Sequence, residues 1–92
     1  MMIVKDMILG ERQTIALQFT RSDVGEIAEA SYSMSTPGRE WIEGIAAATE
    51  GGVVSFTFEP TETGIYLLEV LVTYTDGQTD IEWVQVTVIG GR

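Results

Sequence analysis

Apolar and polar residues alternate at every second position along most of this chain, the spacing of a strand with one covered face. Gln13 to Thr20 sets Ile15, Leu17 and Phe19 against Thr14, Ala16, Gln18 and Thr20, which predicts a half-buried strand. Met2 to Leu9 predicts a strand before it, ended by Gly10-Glu11. After a polar loop over Arg21 to Glu26, Ala28, Ala30, Tyr32 and Met34 alternate with Glu29, Ser31 and Ser33 in a third strand. Ser35-Thr36-Pro37-Gly38 breaks the pattern, because proline has no N–H for a ladder and glycine admits positive φ.

Glu40 to Glu50 admits two readings. Trp41, Ile42, Ile45 and Ala46 fit one face of a short helix stopped by Gly51-Gly52. A strand fits better, since Gly44 weakens a helix and Gly51-Gly52 stands just before Val53 to Glu59, where Val54, Phe56 and Phe58 alternate with Ser55 and Thr57. The expectation is a hairpin in which small residues of the first arm face the phenylalanines of the second.

The closing hairpin is constrained by parity. Tyr66, Leu68, Val70, Val72 and Tyr74 share one face of its first arm, and Val84, Val86 and Val88 share one face of its second. A two-residue turn at Asp76-Gly77 puts these sets on opposite faces, so an odd loop is required. Thr75-Asp76-Gly77 supplies it, with Gly77 in the left-handed region that ends such a connection. With that register Ile65, Leu67, Leu71, Ile81 and Trp83 point outward, interrupted by Glu69 and Gln85. An apolar set of this kind on a sheet predicts a protein contact surface, with Trp83 as anchor and Leu67, Leu71 and Ile81 around it. The competing expectation is that the amino-terminal strand or a loop folds over part of it.

Composition excludes several classes of function. The 92 residues carry 5 basic and 14 acidic side chains, a net charge of -9, and the basic residues at 5, 12, 21, 39 and 92 form no stripe able to follow a phosphate backbone. Nucleic acid is not an expected partner. Neither is a membrane, because no apolar run reaches bilayer length and Met1 to Leu9 is broken by Lys5 and Asp6. Histidine and cysteine are absent, which removes the usual proton shuttle and the strongest nucleophile and predicts a protein without catalytic residues. Asp76, Asp80 and Glu82 gather near one hairpin tip without the spacing of a metal loop, and no glycine pair opens a nucleotide-binding helix. No metal or cofactor is expected. The lack of cysteine and of a signal-peptide core predicts synthesis in the cytoplasm.

Glu62-Thr63-Gly64-Ile65-Tyr66, placed before the long alternating run, resembles the corner of immunoglobulin-like domains. The resemblance implies an all-β chain, a single immunoglobulin-like sandwich of about seven antiparallel strands over residues 1–92. It implies that Gly64 turns the chain between sheets and that the Tyr66 hydroxyl bonds to backbone near Glu62 or Thr63. Leu17 and Leu68 take the places of the usual bridge cysteines, and Tyr32 or Trp41 that of the core tryptophan.

Nearer still, the chain is similar to small immunoglobulin-like structural and adaptor proteins of tailed bacteriophages. The likeness lies in a short opening strand, Gly10-Glu11, an apolar second strand, Ala30-x-Tyr32-x-Met34, and the final Thr63-Gly64-x-Tyr66 and Asp76-Gly77 hairpin. It implies a head, neck, tail or baseplate component of a virion, made in the cytoplasm and then held in the virion by contacts with other virion proteins or with itself. The alternative is a bacterial immunoglobulin-like adhesion or carbohydrate-binding module.

Overall fold

A computed structural model describes residues 2–19 and 26–90, so the loop expected over Arg21 to Glu26 lies, except for Glu26, outside the described residues, as does Thr20. The strands are β1 (Met2–Ile8), β2 (Gln13–Gln18), β3 (Ile27–Ser35), β4 (Trp41–Ala46), β5 (Ala48–Glu50), β6 (Val53–Phe58), β7 (Gly64–Tyr74) and β8 (Thr79–Ile89). They form a five-stranded sheet in the order β1-β8-β7-β3-β4 and a three-stranded sheet in the order β2-β6-β5.

The alternation decides which side chains meet between the layers. Ile15 and Leu17 of β2, and Val54, Phe56 and Phe58 of β6, face Tyr66, Leu68, Val70 and Val72 of β7 and Val84, Val86 and Val88 of β8, all buried in one core. Tyr32 stacks on Phe56 with centroids 4.1 Å apart, and Phe58 meets Tyr66 edge-on at 5.0 Å. These two aromatic pairs, one stacked and one edge-on, join the large sheet to the small one. Leu17 and Leu68 are both buried, on opposite sheets. Of the two residues expected in place of a core tryptophan, Tyr32 is buried on β3, whereas Trp41 lies 45% exposed on the edge strand.

The closing hairpin has the odd loop that parity demands. Thr73 pairs with Thr79, Tyr74 accepts from Gly77 N–H (2.9 Å), and Gly77 has φ +91. Asp76 secures the turn by accepting from the Gln78 backbone N–H and side-chain amide, each at 3.0 Å.

Three details depart from the sequence reading. First, Trp41–Glu50 is extended but is not one arm of a hairpin: β4 pairs with β3 in the large sheet, the chain crosses at Ala47, and β5 pairs with β6 in the small sheet. The Ala47 N–H donates to the Ala30 carbonyl at 3.1 Å, which holds the crossing. Because β5 opposes only Val53, Val54 and Ser55, no small residue of that arm faces Phe56 or Phe58; the tyrosines do. Its turn has two residues, Gly51 and Gly52, both at positive φ, the backbone of a tight hairpin. Second, a bulge between Ile27 and Glu29 leaves Ala28 exposed and turns Ile27 inward in its place. Third, the strands among the described residues number eight rather than about seven, and β1 runs parallel to β8.

Candidate functional site

The outer face of the large sheet follows from the register. Val70 and Val72 of β7 point into the core, so the alternate residues Leu67, Glu69 and Leu71 point away from it, and across the ladder they meet Gln85, Trp83 and Ile81. Trp83, Leu67 and Leu71 are half-buried, Ile81 is 52% and Ile65 56% exposed. The four residues expected to form a contact surface therefore share one face of one hairpin, with Glu69 beside the indole.

β1 does not fold over this face. It extends the sheet in plane, with Met2 alongside Trp83 and Val4 alongside Gln85, while Ile3, Lys5 and Met7 share the core side with Val84, Val86 and Val88. Met2, Val4 and Ile8 thus enlarge the apolar surface, and all three are exposed. The sequence reading missed them because alternation marks β1 as a strand without naming its neighbour. On the other flank β3 contributes Ser31, Ser33 and Ser35, and β4 contributes Trp41, whose indole N–H donates to Glu43 Oε1 at 2.9 Å.

The corner is built on the same strand. The N–H groups of Thr61 and Glu62 both donate to the Tyr66 hydroxyl oxygen, each at 3.2 Å, so the phenol acts as acceptor. Glu62 enters through its backbone. Gly64 stands at φ +125, directly against the Pro37 ring.

Among the described residues no cluster of three or more His, Cys, Asp or Glu is placed to hold a metal ion. At the acidic tip Asp76 is engaged by Gln78 and Asp80 accepts from the Tyr74 hydroxyl at 2.9 Å. No helix of the described residues is long and apolar enough to cross a membrane. Burial raises the Tyr32 pKa above its ordinary 10.0 by disfavouring the phenolate.

Solved structures share this architecture. CopC from Methylosinus trichosporium OB3b is 15% identical with a TM-score of 0.71, covering 98% of this chain and 87% of its own. The fibronectin(III)-like modules of Clostridium thermocellum CbhA are 18% identical at TM-score 0.62, covering 96% and 91%. The Lin-41 filamin domain is 19% identical at TM-score 0.58, covering 87% and 82%. No family model and no curated protein matches the chain. The chain is an all-β sandwich of the immunoglobulin-like and fibronectin-III-like class.

Proposed function

We propose that this chain is a small non-catalytic protein-interaction module, and that it serves as a structural or assembly component of a bacteriophage virion in its head, neck, tail or baseplate. The observation that carries the interaction reading is the open outer face, where Trp83 lies between Met2 and Glu69 with Leu67, Leu71 and Ile81 on the same side. A half-buried indole bordered by aliphatic side chains offers a large rigid surface with few rotors to freeze on contact. Absence of histidine and cysteine supports a role without chemistry. The virion context rests on the likeness of Gly10-Glu11, Ala30-x-Tyr32-x-Met34 and the closing hairpin to phage immunoglobulin-like proteins, and on an acidic, cysteine-free composition suited to assembly in a cytoplasm.

Mass spectrometry of purified particles tests the context. The chain is expected among the particle proteins, and capsid, portal or tail genes are expected beside its own. A chain absent from particles and encoded within an exported multidomain protein would contradict it.

A further inference from the structure

Beyond Leu71 the outer face changes character. The small side chains of Ser31 and Ala46 pair across β3 and β4, and Gly44 has none, so the sheet surface sinks into a groove of about 280 Å³ between Leu71 and the β4 edge. Glu29 and Thr73, opposite one another across the β3–β7 ladder, line it as well. One wall is therefore aliphatic, the floor small and hydroxyl-bearing, and a carboxylate stands among the lining residues, exposed to solvent.

We propose that this groove receives an arginine side chain from a different protein, its methylene stem along Leu71 and Ala46 and its guanidinium at the Glu29 carboxylate. The inference rests on the outer face being an interaction surface and specifies the chemistry of its partner. Charge makes the choice. Asp6, Glu29 and Glu69 lie at outward register positions of β1, β3 and β7, and Glu43 is bonded to the outward Trp41. Among the described residues no strand carries a lysine or arginine at an outward register position: Lys5 is on the core side of β1, and Arg12 and Arg39 stand in connections. A second copy packed face to face would set carboxylate against carboxylate, whereas an apolar surface bearing arginine matches both the indole patch and the acid. Arginine suits the groove better than lysine, since its planar fork can bond a carboxylate and neighbouring hydroxyls together and is less strongly hydrated.

The probe is Nα-acetyl-arginine amide, titrated into the full chain and followed by heteronuclear NMR, with Nα-acetyl-citrulline amide as the uncharged isostere. Saturable shifts are expected at Glu29, Ser31, Gly44, Ala46 and Thr73 with the arginine compound and not with citrulline. Glu29→Gln is expected to weaken binding roughly fivefold, the worth of one exposed ion pair. Ala46→Leu, which fills the groove without altering charge, is expected to abolish it. Trp83→Ala lies outside the groove and should leave it unchanged, so loss of groove binding and loss of the indole contact are read separately. Equal shifts with both compounds, or arginine binding undiminished by Glu29→Gln or by Ala46→Leu, would overturn the proposal. So would an isolated chain that sediments as a dimer and returns to monomer on Trp83→Ala, because a second copy would then occupy the face.

Discussion

Gly64 is packed so closely on Pro37 that a Cβ at position 64 would stand 2.7 Å from the proline Cβ. Two segments far apart in sequence thereby meet: the turn that follows β3 and the entry to β7. A side chain cannot be accommodated by rotation, because the Gly64 φ of +125 is itself one that L-residues rarely adopt.

Gly64→Ala is therefore expected to cost about 2–4 kcal/mol, from backbone strain and overpacking together. Chemical denaturation of the parent and variant measures it. A midpoint shift equivalent to less than about 1 kcal/mol would mean that the Pro37 turn moves away freely.

Tyr66→Phe removes the acceptor for the Thr61 and Glu62 N–H groups while keeping the ring against Phe58. Both residues are exposed, so water can replace part of what is lost, and a destabilisation of about 1 kcal/mol is expected. The same denaturation experiment checks it, and an unchanged midpoint would show that the corner bonds contribute nothing.

Tyr32 gives the fold an alkaline limit. Its folded pKa lies above the 10.0 of an exposed tyrosine because burial disfavours the phenolate. Above that pH the unfolded chain releases a proton that the folded one keeps, so stability is complete below it and declines as pH rises toward the folded pKa. Unfolding midpoints measured across that window should fall more steeply for the parent than for Tyr32→Phe. Parallel curves would remove Tyr32 as the cause.

Much of the fold was legible because its strongest constraint is arithmetic. The inward sets of β7 and β8 admit one parity, and the Thr73–Thr79 register and the left-handed Gly77 obey it. The same parity put Leu67, Leu71, Ile81 and Trp83 on one face. What alternation cannot express is the choice of neighbour. Nothing in Met2–Ile8 states that it lies parallel to β8, and nothing in Trp41–Glu50 states that the chain changes sheets at Ala47, because either pairing satisfies the same local pattern. The Ala28 bulge is hidden for a related reason: one extra residue shifts the inward position to Ile27 without disturbing composition. The groove was invisible because small residues leave no signal of their own until Ser31, Ala46 and Leu71 are brought side by side.

For a chain that is a particle component, as proposed, the most direct measurement of the proposed interaction face is the amount of Trp83→Ala protein incorporated into purified particles relative to the parent, with circular dichroism of each isolated chain. The inner valines Val84 and Val86 pack independently of the outward indole, so the variant is expected to keep the parental spectrum. Loss of a central aromatic anchor costs about 2 kcal/mol or more, so its incorporation is expected to fall by at least roughly tenfold. A folded variant incorporated at the parental level would contradict the assignment of this face as the interaction surface.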